Sequence, residues 1–415
     1  MSVASVFVTR FELTAPVSKG ERQMKIEQLD VKGFRSLKDV SWRPGDLNVV
    51  IGQNGTGKSN LLRMLELISA SAQGRLSKYI QAAGGMEPIL WDGRAPSITF
   101  HLKMDDSFET QAIPNDYEVE LARLGATGWY QVEHEKLTGD ASTKYIERNA
   151  GSEKKGVLGG INATWVDSSG PPAQEALLSL VTPSLTSKPP LQYLQTVSFR
   201  KKLAGISVYH DLNVGQDSKI RQAPVARFEK RVEPDGQNLV TVLHTLYTGD
   251  REFERGIDAA MHAAFGGDYE KLVFPPAADQ RVQLRVRWRT LQREQSAADL
   301  SDGTLRFLFL LTVLSAPDPP MLIAIDEPET GLHPAMMNII AEYAVEAAMR
   351  TQLVFTTHSA QFLDAFTKYK PTTTVAKWEN GETSLQVVEG DELNHWLTEY
   401  SLGSLFTSGE LEAIS

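Results

Sequence analysis

The chain has 415 residues, 41% of them hydrophobic, a mean hydropathy of −0.25, no cysteine, and a net charge of −10 from 42 basic and 52 acidic side chains. Without cysteine there are no disulfides, cysteine zinc sites or cysteine nucleophiles, which fits a reducing compartment, and the acidic balance does not favour a dedicated duplex-binding surface. No apolar stretch approaches the roughly 20 residues that span a bilayer, and Met1-Ser2-Val3-Ala4-Ser5 lacks a secretory pattern, so a cytoplasmic chain with no membrane partner is expected.

Residues 1–23 carry no clear element and read as an N-terminal extension. Met24–Leu29 begins the first strand. Leu47, Val49, Val50 and Ile51 form a buried strand that runs into Gly52-Gln53-Asn54-Gly55-Thr56-Gly57-Lys58-Ser59, and Leu61, Leu65 and Ile68 then recur at helical spacing. Strand, glycine-rich loop and helix in that order make a phosphate-binding loop. Its glycines let the N–H groups of Asn54 to Asn60 curl around phosphate oxygens, and the helix points its positive end at them. Lys58 can reach the β and γ phosphates, and the Ser59 hydroxyl can ligate Mg²⁺. A nucleoside triphosphate is the expected ligand.

From Phe100 to about Glu147, alternating runs such as Tyr117–Leu121 and Trp129–Val132 flank Gly125–Gly128 and predict an antiparallel sheet. Residues 150–190 are rich in Gly, Ser, Pro and Lys and read as a mobile connection around one short helix, Ala173–Val181. A strand at Ile206–Tyr209 and helices at Asn238–Tyr247 and Glu252–Ala264 follow. In Arg281–Arg289, Arg285, Arg287 and Arg289 alternate with Leu284, Val286 and Trp288, a strand with one apolar and one cationic face. That face is either solvated or a contact for nucleic acid or an acidic partner.

The last third completes the site. Leu300–Thr304 precedes a buried helix, Leu305–Leu314. Ser301 and Gly303 at its start make either a plain cap or a second anion site. Since the loop at 52–59 already supplies donors, a second set suggests a second subunit closing over the nucleotide. Met321–Glu327 is a short apolar run ending in two carboxylates, as in a central parallel strand. Asp326 is placed to hold Mg²⁺, and Glu327 to orient or deprotonate the attacking water. A buried ion-pair network is the alternative for that pair. Met336, Ile340, Tyr343 and Ala347 share a helix face. His358 ends the strand Leu353–Thr357, where ligands sit in open α/β sheets, and is either a γ-phosphate contact or an ordinary strand-end histidine. His210-Asp211 reads as a strand-end pair rather than a ligand set.

Taken together these segments resemble the ABC-type ATPase heads of the RecF/SMC/overcoming-lysogenisation group, and more narrowly the stand-alone RecF-like AAA ATPases. The resemblance rests on Leu29–Ser36 (LDVKGFRS), Ile51–Asn60 (IGQNGTGKSN), Asp235–Leu239 (DGQNL), Leu300–Gly303 (LSDG), Ile325–Pro334 (IDEPETGLHP), Thr356–Ser359 (TTHS) and Trp396–Gly403 (WLTEYSLG). It implies an α/β fold: a two-lobed head with a phosphate-loop core of mixed or parallel sheet, an antiparallel β lobe and a helical lobe. Residues 24–415 would form one head, divided into 24–150 (nucleotide-binding and antiparallel part), 151–299 (connection and helical part) and 300–415 (signature and acidic-strand part). The resemblance further implies an ATP-hydrolysing homodimer, each ATP·Mg²⁺ lying between one subunit's Lys58 loop and the other's Ser301–Gly303. Glu329 to His333 would cross the seam, and Arg35 would approach the nucleotide.

Two departures stand out. Asp302 and Thr304 replace the third and fifth residues of the usual Leu-Ser-Gly-Gly-Gln, bringing a carboxylate near the γ-phosphate. The Mg²⁺-ligating glutamine of the group has no clear counterpart, Gln192, Gln195 and Gln237 being the candidates. About 240 residues separate Lys58 from Ser301 without sustained heptads, and about 57 follow His358, short for a Toprim nuclease domain. The expectation is therefore a switch ATPase acting on a separate effector, of nuclease or toxin type, as such relatives do in bacterial antiviral systems. The alternative is a DNA-repair or recombination ATPase that grips nucleic acid through 281–289.

Overall fold

The computed structural model describes residues 24–105, 113–125, 128–148, 155–158, 161–164, 173–183, 189–210, 212–388, 397 and 400–411. The extension 1–23, Asp211, and parts of 150–190 and of Trp396–Gly403 lie outside the described residues.

Strand β1 (Lys25–Phe34) turns through Arg35 and Ser36 into β2 (Leu37–Trp42), and the fully buried β3 (Leu47–Ile51) feeds helix α1 (Lys58–Gln73). After α2 (Leu76–Ala82) come β4 (Ser97–Asp105), β5 (Pro114–Leu124), β6 (Trp129–Gly139), β7 (Lys144–Arg148), β8 (Lys155–Leu158) and β9 (Ile161–Thr164). These build an antiparallel sheet in the order β2-β1-β4-β5-β6-β7-β8-β9. The second half supplies α3 (Leu191–Ala204), β10 (Ser207–Tyr209), α4 (Leu239–Gly249), α5 (Arg251–Phe265), β11 (Tyr269–Val273), β12 (Pro276–Ala277), β13 (Arg281–Val282), β14 (Arg285–Trp288) and β15 (Gln295–Ser296). Helix α6 (Asp302–Leu314), β16 (Leu322–Asp326), α7 (Pro334–Ala348), β17 (Gln352–Thr357), α8 (Ala360–Phe366), the hairpin β18 (Thr372–Glu379) and β19 (Glu382–Val388), and α9 (Leu402–Ser408) complete the order.

The central sheet runs β10-β16-β17-β3-β18-β19 and is parallel apart from β19. Its strands alternate sides, as the two-residue period of a strand requires. Val49, Ile51, Ile323, Ile325, Leu353 and Phe355 join one core with α4 to α8. Val50, Leu322, Ala324 and Val354 face the other, with Leu61, Leu65 and Ile68 of α1, Phe199 of α3, and Phe100 and Tyr117 of the antiparallel sheet. Helix α1 is thus buried between two sheets. Each of its leucine-sized side chains contributes about 1.5–3 kcal/mol by leaving water. The result is a two-lobed α/β head.

Three expectations need correction. The predicted helix Ala173–Val181 is only a 3₁₀ turn, Leu177–Leu180. Its chain is committed elsewhere: the buried Glu135 carboxylate accepts from the N–H of Leu177 and Leu178 at 2.5 and 2.8 Å, and Ala173 O accepts from Val132 N. Within the supposed connection 150–190, β8 and β9 extend the antiparallel sheet. The strand over Arg281–Arg289 is two short strands, β13 and β14. Among the described residues no helix is long and apolar enough to cross a membrane.

Candidate functional site

Parallel register brings the carboxyl ends of four strands to one edge. Tyr209 pairs with Ile325, Asp326 with Thr356, and Thr357 with Ile51. The chain leaves each strand at a residue singled out above, so Lys58, Ser59, Asp326, Glu327 and His358 gather there, at the crevice where open α/β sheets hold ligands.

The phosphate loop owes its shape to its glycines and to two distant turns. Gly55 and Gly57 have φ of +85° and +95°. A Cβ on Gly57 would stand 2.1 Å from Thr383 Oγ1 and 2.6 Å from Ser36 Oγ, so only glycine fits. Those hydroxyls pin the loop from behind. Thr383 Oγ1 donates to Thr56 O (2.8 Å) and lies 2.7 Å from Ser36 Oγ, which also accepts from Asn60 Nδ2 at 2.7 Å. Asn54 and Gly55 are exposed at the loop's mouth. Lys58 is buried, and its ammonium donates to Gly52 O (2.7 Å) and Gln53 O (3.0 Å). Burial disfavours its charge, against the pull of Glu327, Asp326 and Glu329.

Opposite stands the acidic strand end. Burial pushes the Asp326 carboxyl up, but hydrogen bonds from His210, Thr356 and Ser59 outweigh it and hold the group below its ordinary range. Ser59 is therefore close enough to Asp326 to act on its carboxylate. Glu327 has φ +45°, a strained value for a residue other than glycine, and its Oε1 lies 2.9 Å from His358 Nδ1. Glu329 accepts from Thr357 Oγ1 at 2.5 Å, and burial raises its carboxyl. Arg35, also at positive φ, is half-buried beside Arg63, Glu66 and Tyr79 on α1 and α2.

Ser301 and Gly303 are not brought to the phosphate loop. Ser301 caps α6 by accepting from Thr304 N at 3.2 Å, and both Ser301 and Asp302 are exposed. A Cβ on Gly303 would come within 2.7 Å of Gly331 O, so the start of α6 backs onto the Glu329–His333 loop of the same chain. Asp302 pairs with Arg221.

His210 is the residue that sequence reasoning missed. Far from a bare strand-end pair, it bridges Asp326 Oδ2 through Nδ1 and Glu66 Oε1 through Nε2, each at 3.2 Å. Hydrogen bonds to Asp326 and Glu66 raise its pKa to about 9. The available signal was its place after a short apolar strand, the same grammar as His358. None of the three glutamines takes that place. Gln195 accepts from Tyr145, Gln237 binds the backbone of Asn213, Lys219 and Asp235, and Gln192 is exposed on α3.

Two of the three arginines of that face, Arg285 and Arg287, are matched within their own lobe, while Arg289 is exposed. Arg287 pairs with Glu294 at 2.5 Å and Glu270 at 3.9 Å, and Arg285 binds Gln283 and lies 4.0 Å from Glu294.

Two family models match the chain. One, described as "AAA ATPase domain", covers residues 24–150; the other, described as "AAA domain, putative AbiEii toxin, Type IV TA system", covers 199–364. No curated protein matches. Among solved structures, an SMC head bound to the C-terminal winged-helix domain of ScpA aligns with a TM-score of 0.53 at 13% identity, over 89% of this chain and 99% of that one. An SMC head with an extended coiled coil, bound to the C-terminal domain of ScpA from Pyrococcus furiosus, aligns with a TM-score of 0.54 at 12% identity, over 91% and 99%. At such identities the likeness is one of fold.

Proposed function

We propose, from the premise that the chain belongs to the ABC-type, RecF/SMC-like AAA ATPases, that it hydrolyses ATP as a switch. Two copies, each a single head over residues 24–415, would close around the nucleotides, and closure would control a separate effector. The observation that carries this reading is the convergence of Lys58, Ser59, Asp326 and the Glu327–His358 pair at one sheet edge.

The residues fit ATP and Mg²⁺. Loop amides and the start of α1 form an anion cradle that a Cβ at Gly57 would destroy. Ser59 and Asp326, which lie near each other, offer the hard oxygen ligands that Mg²⁺ takes. Bound there, Mg²⁺ would offset the charge of the β and γ phosphate oxygens. Lys58 would exchange the carbonyls of Gly52 and Gln53 for phosphate oxygen. Glu327, steadied by His358, accepts the proton of the attacking water. Asn54, Gly55, Thr56, Gly57 and Asn60 complete the cradle, Arg35 flanks it, and the exposed Ser301, with the half-buried Gly303 behind it, serves the partner's nucleotide.

For the controlled partner we favour a nuclease or toxin-like protein in bacterial antiviral defence. The toxin–antitoxin wording of one family description supports that setting. Direct nucleic-acid gripping has less behind it, since Glu294 and Glu270 match Arg285 and Arg287, two of the three arginines it would use. Glu327→Gln should keep ATP affinity, lose turnover at least a hundredfold, and associate with itself when ATP is added. Light scattering that stays flat on ATP addition to this variant rules out the closing dimer.

A further inference from the structure

We infer that Arg221 is a positioning residue for the Ser301–Gly303 segment: it draws the Asp302 carboxylate off the start of α6 and cancels its charge, so that this exposed helix start can face a triphosphate carried by a second copy. The inference rests on the composite-site reading proposed above.

The Arg221 side chain is 7% exposed, although a buried guanidinium is costly unless its donors are satisfied. Its donors are spent almost wholly on one stretch of chain. Nη1 binds the carbonyls of Ala297 (3.1 Å), Ala298 (3.2 Å) and Leu300 (2.7 Å), and Nη2 binds Asp302 Oδ1 at 2.5 Å. Nε takes Val214 O at 2.7 Å, anchoring the whole arrangement to the segment after β10. The carbonyl bonds fix the path of the backbone into α6. The bond to Asp302 does something else.

Asp302 is the first residue of α6 and 65% exposed, so its carboxylate stands at the positive end of the helix. Left free, it would occupy the very N–H groups a phosphate needs and repel that phosphate. Paired with Arg221 it is turned aside, and the pair is neutral. The departure from glycine at position 302 is thereby compensated by a residue 81 positions upstream.

The test uses the full chain in the Glu327→Gln background with ATP and Mg²⁺, reading self-association by light scattering and single-chain affinity with a fluorescent ATP analogue. Arg221→Gln should weaken association at least tenfold while the analogue binds within about twofold of its parent. Adding Asp302→Asn to Arg221→Gln should restore most of the association, because the freed carboxylate is gone. A purely structural role for Arg221 predicts no such rescue, and absence of rescue overturns the inference. So does unchanged association in Arg221→Gln while the parent associates normally. If the parent itself does not associate, the composite-site reading fails and this inference falls with it. Should Arg221→Gln not fold, Asp302→Asn alone decides: association should tighten, as the Arg221 charge is no longer consumed, and weaker association refutes the idea.

Discussion

Replacing Thr383 by valine tests whether the phosphate loop is held from behind by the C-terminal hairpin. Valine keeps the shape and removes the hydroxyl. At 2% exposure, Thr383 donates to Thr56 O at 2.8 Å and contacts Ser36 Oγ at 2.7 Å. The substitution strips Thr56 O of this donor, at about 1–3 kcal/mol for a buried acceptor. Ser36 keeps its bond from Asn60 and adds less. A loss of about 2 kcal/mol in urea denaturation is expected. The loop would also need to be ordered by its ligand, so an ATP analogue should bind roughly fivefold more weakly, about 1 kcal/mol. Ser36→Ala attacks the same contact, and the double variant should fall short of additivity by about 0.5–1 kcal/mol. Thr373→Val is the control. That hydroxyl is equally buried on the same hairpin, but it binds Pro371 O at 3.2 Å. It should cost stability and leave affinity untouched. If the two threonine variants lose affinity alike, or neither does, the hairpin does not hold the loop.

Gly303→Ala forces a methyl within 2.7 Å of Gly331 O, which should cost about 1–3 kcal/mol and shift both the start of α6 and the loop before α7; an unchanged melting temperature would show that this contact is slack. His210 has a pKa raised to about 9 by Asp326 and Glu66, so its contribution is complete below about pH 6.5 and lost as pH rises through about 9. The nucleotide-free protein should therefore lose on the order of 1 kcal/mol across that window after solvent screening, and His210→Gln should flatten the decline; identical pH profiles by calorimetry would refute the bridge. Since Glu294 and Glu270 match Arg285 and Arg287 and leave only Arg289 of that face without a carboxylate among the described residues, the triple change of Arg285, Arg287 and Arg289 to alanine should leave any DNA affinity at low salt within about threefold. A steep, salt-sensitive affinity that vanishes in the triple variant, read by fluorescence anisotropy, would establish direct gripping instead.

What could be read from the sequence was what the chain writes contiguously. The phosphate loop is legible because strand, glycines, lysine and helix follow one another, and the central strands because parallel burial leaves unbroken apolar runs such as Leu322–Ile325. The two-lobed fold followed from the family that those segments together resemble. Residues 173–181 were misread because tertiary bonds from Glu135 and Val132 took the backbone groups a helix would have used. Thr383, 327 residues from Thr56, has no local signature, and the strand end that marks His210 does not name its partner Asp326, 116 residues away. Their importance arises only when folding closes those distances. The same holds for a motif that deviates. Asp302 looks like a liability when Leu300–Gly303 is read alone, since a carboxylate there opposes a phosphate. With Arg221 against it the charge is matched, and the departure becomes one half of a pair whose other half lies on a different element. A signature residue is therefore read correctly only together with the side chain that touches it, and substituting Asp302 alone leaves the Arg221 charge unmatched at the start of α6 rather than restoring a neutral site.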